Sequence, residues 1–151
     1  MVMTYSYKQL CDEDVPALKE LLRVYGEAFE DMDAYQRAIP GDEYLRSLLM
    51  KQDFIVLVAL AHDTVVGGLA AYVLQKFEQE RLEIYIYDLA VAKQHRRRGI
   101  ATKLISDLRH IAQQRGAYVI YVQADRTDDA AIKLYGSLGT KEEVFHFDIT
   151  P

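Results

Sequence analysis

Several things are scarce in this 151-residue chain. It has one cysteine, Cys11, so no disulfide can form within it, which fits a reducing compartment. It has no tryptophan and only three prolines, and its eight glycines are spread out, so no linker or low-complexity stretch is visible. The longest unbroken apolar run, Phe54 to Ala61, is eight residues, against the roughly 20 that a membrane helix requires. The opening MVMTYSYKQL has no basic n-region followed by an apolar core, so no signal peptide is expected. Positive charge is also in deficit, with a formal net charge of −5, which disfavours nucleic acid and suits a cationic small partner. No metal-ligand spacing links the four histidines, and neither a Ser–His–Asp nor a Cys–His arrangement is supported.

Half of the residues are apolar and 27% are charged, a globular balance. A chain of this length buries roughly 70% of its unfolded surface, so one cytoplasmic domain spanning residues 1–151 is expected. Alternating aromatics mark a first strand over Thr4–Leu10. Asp12 can cap a helix to about Glu30, with Val15, Leu18, Leu21, Leu22, Tyr25 and Phe29 on one face. Glu30–Gly41 is acidic and non-periodic and reads as a loop, and Asp42 starts a short helix through Lys51. Two β-rich runs, Phe54–Ala61 and Thr64–Lys76, flank a hairpin turn at His62-Asp63.

Leu82–Ala92 is a further strand. Simple alternation puts Tyr85, Tyr87 and Leu89 on one face, and Ile84, Ile86 and Asp88 on the other. Ile100–Arg115 has helical periodicity with Gly116 as its C-cap. Tyr118–Gln123 reads as a buried strand, Asp128–Leu138 as a helix, and Glu142–Ile149 as a final strand. The sum is an α/β fold with a mixed central sheet flanked by helices, and with the strands around residues 82–123 parallel.

The stretch richest in chemistry is DLAVAKQHRRRGIAT, Asp88 to Thr102. A strand ends, a basic turn with Gly99 follows, and an amphipathic helix begins. Such a helix start offers unpaired N–H groups and a positive dipole end to a phosphate. There is no Gly-Lys-Ser/Thr and no Gly-x-Gly-x-x-Gly, so neither the P-loop nor the dinucleotide pattern applies. From the residues alone, a phosphate cradle and a solvated basic turn both remain open.

Arg96-x-x-Gly99-x-Ala101 after a strand resembles the Arg/Gln-x-x-Gly-x-Gly/Ala signature of the GCN5-related N-acetyltransferases. AAIKLYGSLG, Ala130–Gly139, is similar to that family's second conserved segment. The segments FEQERLEIYIYDLAVAKQHRRRGIATKLI, GAYVIYVQAD and EEVFHFDI further resemble the gentamicin-type aminoglycoside 3-N-acetyltransferases, from about Tyr25 to the end. Thr140 departs from the superfamily, which usually has an aromatic there.

The resemblance implies a single-domain fold whose splayed parallel strands hold acetyl-CoA. Backbone groups of Leu89, Ala90 and Val91 would hold the pantetheine arm. Amides of Arg96, Arg97, Arg98, Gly99, Ile100, Ala101 and Thr102 would take the pyrophosphate. Asp128 and Ala131 would touch the cofactor, and Tyr135 would serve as general acid toward the thiolate. The acceptor would be a cationic aminoglycoside, attacked directly in a ternary complex, with a homodimer as a possible assembly. Asp88 is the candidate base or amine anchor, because an amine must lose a proton before it attacks. Asp31, Asp125, Glu142, Glu143 and Asp148 are candidate acceptors for ammonium groups, whereas Glu30 and Asp33 read as solvated. His146 reads as a partly buried core histidine. A polyamine or protein-lysine acetyltransferase, and a non-catalytic acetyl-CoA sensor, are the competing readings.

Overall fold

The computed structural model describes residues 2–151, in two compact units, one ending at Tyr121 and the other comprising Val122–Pro151. The first unit begins with β1 (Ser6–Gln9), a short 3₁₀ turn and α1 (Val15–Ala28). It continues through α2 (Met32–Gln36) and α3 (Asp42–Leu49) into β2 (Phe54–Ala61), β3 (Thr64–Gln75) and β4 (Leu82–Val91). After a second 3₁₀ turn come α4 (Ile100–Arg115) and β5 (Ala117–Val122). The five strands form a mixed sheet in the order β1-β2-β3-β4-β5, which bears out the expected α/β class.

Local chemistry explains most of the boundaries. His62 and Asp63 both take positive φ, 47° and 65°, as a two-residue hairpin with the right twist demands. Helix α4 runs between two left-handed glycines, Gly99 and Gly116, at the bounds its periodicity predicts. The segment read as a loop at residues 30–41 instead contains α2. Its start is capped by the Asp31 carboxylate, which accepts the Ala34 N–H at 3.1 Å. Five residues are too few to show a helical period, which is why the pattern missed it.

Each face of the sheet has its own core. On one side Leu18, Leu21, Val24 and Tyr25 of α1 and Leu45 of α3 pack on Val56, Val58 and Ala90. The other sheet face carries Ile55, Leu57, Leu69, Ala71, Ile84 and Ile86, all buried, and α4 buries Ile100, Leu104 and Leu108. Each large side chain so removed from water contributes about 1.5–3 kcal/mol before entropy is counted.

β3 and β4 pair antiparallel, but not in one register. Ala70 faces Asp88 and Ala71 faces Ile86, leaving Tyr87 as an extra residue on β4, a β-bulge. This corrects the alternation argument. The bulge shifts the period by one, so Asp88 shares a face with Tyr85, Tyr72 and Ala70, away from Ile84 and Ile86. That is the face on which α1 packs.

Strand β5 was expected to be buried, yet Tyr118, Val119 and Tyr121 are exposed. The second unit holds α5 (Asp129–Leu138). The expected strand at Glu142–Ile149 is not formed: the segment is irregular, with Phe147 79% and Ile149 90% exposed. Its alternating apolar residues specify a strand only when an edge is available to complete their hydrogen bonds, and that lies outside the segment itself.

Candidate active site

Asp88 sits just past the bulge of β4, half-buried, with its backbone paired opposite Ala70. Its Oδ1 accepts a hydrogen bond from the Tyr35 hydroxyl at 3.2 Å. The Tyr25 hydroxyl reaches the carbonyls of Gly68 (3.2 Å) and of Asp88 itself (3.4 Å), fixing the main chain behind the carboxylate. Burial raises the Asp88 carboxyl above the usual carboxylate range, and the Tyr35 hydrogen bond works against that rise. Burial, followed by the nearby Asp88 charge, pushes Tyr35 up to about 12, so its hydroxyl stays a donor at any ordinary pH.

Aromatic rings surround this carboxylate. Tyr25, Phe29 and Tyr35 form a cluster with centroids 5.6–5.9 Å apart. Tyr72 meets Tyr87 edge-on, Tyr87 meets Tyr85 edge-on, and Tyr85 stacks on Tyr121 at 4.7 Å. Burial raises the hydroxyls of both Tyr72 and Tyr85. Sequence reading did not single out Tyr35 or this row. The signal available was the density of tyrosine, eleven in all, with Tyr85 and Tyr87 beside the candidate carboxylate.

Further along β4, Leu89, Ala90 and Val91 pair with Leu69, Gly68 and Gly67. Val91 hands its carbonyl to the Arg96 Nε at 3.0 Å, so this arginine ties the turn back to the strand. The Tyr5 hydroxyl lies 3.0 Å from His95 Nδ1 and fixes the same turn from another side. Arg97 is held at φ 61° and Gly99 at φ 79°. No side chain caps α4, no acidic residue lies in its first turn, and a Cβ on Gly99 would point into open space. Arg96, Arg97, Arg98 and Gly99 are exposed. The first-turn amides of Ile100, Ala101 and Thr102 and the positive dipole end of α4 adjoin a turn that carries Arg96, Arg97 and Arg98, an arrangement whose charge suits an anion. The structure thus brings Asp88, Leu89–Val91 and the turn onto one strand–turn–helix unit.

Asp31 of the same unit is engaged in capping α2, and Asp33 lies 3.5 Å from Arg37. In the second unit, Asp128 caps α5 through the Ala131 N–H at 3.0 Å, so these two residues are brought together and occupy each other. Burial, with Asp128 adding to it, pushes the Tyr135 hydroxyl up to about 12. Asp125 and Glu142 are exposed, Glu143 lies 3.4 Å from Lys141, and Asp148 lies 2.9 Å from His146. His146 is therefore an exposed surface histidine, not a core one. Cys11 is exposed at the first 3₁₀ turn, with its thiol against Asp14. Among the described residues no group of three acidic, histidine or cysteine side chains could hold a metal, and no helix is long and apolar enough to cross a membrane.

The Acetyltransferase (GNAT) family profile matches residues 16–140. The chain belongs to the GNAT acetyltransferase family. Acetyltransferases of this family draw their acetyl group from acetyl-CoA. The chain is similar to an aminoglycoside acetyltransferase, HMB0005, from an uncultured soil metagenomic sample. The two share 54% identity, with 99% of each chain covered and a TM-score of 0.97. It is also similar to meta-AAC0020, an aminoglycoside acetyltransferase from an uncultured soil metagenomic sample, solved with sisomicin. There the identity is 36%, covering 97% of this chain and 96% of that one, with a TM-score of 0.90. A curated relative, a probable N-acetyltransferase named camello from Xenopus laevis, is 32% identical over 98 residues. That match takes in 65% of this GNAT chain but only 43% of the relative's length.

Proposed function

We propose that this GNAT-family chain acetylates aminoglycosides, using acetyl-CoA, at the 3-amino group of the 2-deoxystreptamine ring. The observation that carries the reading is Asp88: a half-buried carboxylate set by a bulge on the strand that feeds the anion-accepting turn. The resemblance of Asp88–Thr102 to gentamicin-type 3-N-acetyltransferases supports the position, and the two aminoglycoside acetyltransferases above support the substrate class.

The residues present fit acetyl-CoA. The first-turn amides Ile100, Ala101 and Thr102, with Arg96, Arg97, Arg98 and Gly99, would hold the pyrophosphate, and the backbone of Leu89–Val91 would hold the pantetheine arm. Asp128 and Ala131 are proposed to line the cofactor side. When bound, acetyl-CoA supplies an acetyl thioester. Asp88 takes the proton that an amino-sugar ammonium must shed, directly or through one water. Tyr135 keeps its proton and is the proposed donor for the leaving thiolate. Asp31, Asp125, Glu142, Glu143 and Asp148 are proposed to receive the remaining ammonium groups. No cysteine occurs in the matched segments, so direct attack by the amine is favoured over an acyl-enzyme.

Thiol release measured with gentamicin, kanamycin, spermidine and a histone-tail peptide tests the substrate class. Turnover is expected on the antibiotics, with the product carrying its acetyl group on N3 by NMR. Turnover confined to spermidine or the peptide would replace this reading with the polyamine or protein-lysine one. Binding of acetyl-CoA with no turnover would leave a sensor. For the cofactor turn, Gly99→Asp should nearly abolish acetyl-CoA binding by calorimetry in a folded protein. Its side chain would enter the open space beside the amides and repel phosphate, and φ of 79° disfavours it as well. Unchanged affinity would remove the turn from the site.

A further inference from the structure

We infer that Tyr35 is a positioning residue that holds and aims the Asp88 carboxylate, an inference that rests on reading Asp88 as the base. Its hydroxyl donates to Asp88 Oδ1 across 53 residues of sequence, at 3.2 Å. The contact is built, not incidental. Helix α2 is anchored by the Asp31 cap and by the Asp31 N–H bonded to the Gly26 carbonyl at 2.9 Å. The Tyr35 ring sits edge-on to Tyr25 at 5.9 Å and against Phe29 at 5.7 Å. A Cβ on Gly26 would come within 2.8 Å of Met32 Sδ and 3.3 Å of Tyr35 Cβ, so α1 has glycine where α2 comes down on it.

Burial disfavours the charged form of Asp88, yet a general base must be charged to act. The groups facing it are aromatic hydroxyls. Tyr35 comes from α2, Tyr25 from α1 (onto the Asp88 backbone carbonyl), Tyr72 from β3, and Tyr85 from β4. Asp31 is the further charge felt by Tyr35. The Tyr35 hydroxyl donates to the carboxylate oxygen Oδ1. By holding Oδ1 it also fixes the orientation of the oxygen pair.

The test is Tyr35→Phe, which keeps the ring packing and removes only the donor. Two readouts are taken on the full chain: the Asp88 carboxyl titration, by ¹³C NMR assigned against Asp88→Asn, and the pH profile of kcat/KM. Both the carboxyl midpoint and the acid limb should move up together by roughly half to one pH unit. Activity below the limb should then fall roughly 3- to 10-fold while the plateau above it largely recovers. A ring with a merely structural role would lower the plateau and leave the limb in place. An unmoved carboxyl midpoint overturns the inference and leaves Asp88→Asn to judge the base separately. If the midpoint moves and the rate limb does not, Asp88 is not the base, and the catalytic role of Tyr35 falls with it. Gly26→Ala, which presses on α2 without touching the hydroxyl, should shift both readouts in the same direction by less.

Discussion

Asp88 and the carboxylates of the second unit are the same chemical group in two different settings. Asp88 is half-buried on a paired strand, accepts a hydrogen bond from the Tyr35 hydroxyl, and is raised by burial. Glu143 and Asp148 have side chains 75% and 94% exposed, and each is met by a neighbour two residues away. A buried carboxylate exerts its field through little water, whereas an exposed one is screened over about 8 Å at physiological ionic strength. The first setting is the one proposed for proton transfer, and the second the one proposed for recognition that is collective, individually weak and sensitive to salt.

The largest effect expected from this contrast is on Asp88→Asn. The amide keeps size and hydrogen bonding but cannot take a proton, so kcat/KM should fall at least about 10²-fold. Near-normal rates at pH 7 would leave Asp88 a structural residue and erase the contrast. A smaller effect is expected from the triple variant Asp125→Asn, Glu142→Gln, Glu143→Gln. Its aminoglycoside KM should rise roughly 2- to 10-fold at low salt, and the rise should shrink at high salt, with the KM for acetyl-CoA nearly unchanged. An unchanged KM at low salt would pass the recognition role to Asp31 and Asp33.

The smallest effect is on stability. Because the folded-state pKa of Asp88 is raised, its ionised form is disfavoured by folding. The stability it contributes is present below the unfolded carboxylate value and is lost as pH rises through the raised folded value. At neutral pH, Asp88→Asn should therefore melt no lower than the wild type, and slightly higher, by calorimetry. A clear drop in Tm would mean that the charged carboxylate stabilises the fold. The second-unit amides should leave Tm unmoved.

Much of this was legible in order along the chain. Strand β2 and helix α4 have the bounds their patterns predict, because periodicity, left-handed glycines and a hairpin dipeptide act over a few residues. Asp88 was proposed on a strand-face argument that the bulge corrects. The carboxylate does lie beside apolar and aromatic groups, but on the face reached by α1 and α2. The strand thought to close the chain at Glu142–Ile149 is absent, since its pattern requires a partner edge. Tyr35 was invisible because nothing within its own five-residue helix marks it.

The amino-acid sequence by itself determined the α/β class, the identity of the chemical groups, and the basic turn leading into α4 at Gly99. These follow from interactions between residues a few positions apart. The tertiary structure alone decided which face Asp88 occupies, which hydroxyl reaches it, and which carboxylates remain in water. The bulge at Tyr87 arises from the register between two strands, and register is a relation between chains of residues that no single strand encodes. The environment that sets a carboxylate's protonation is assembled from α1, α2, β3 and β4 at once, so it exists only after they have packed.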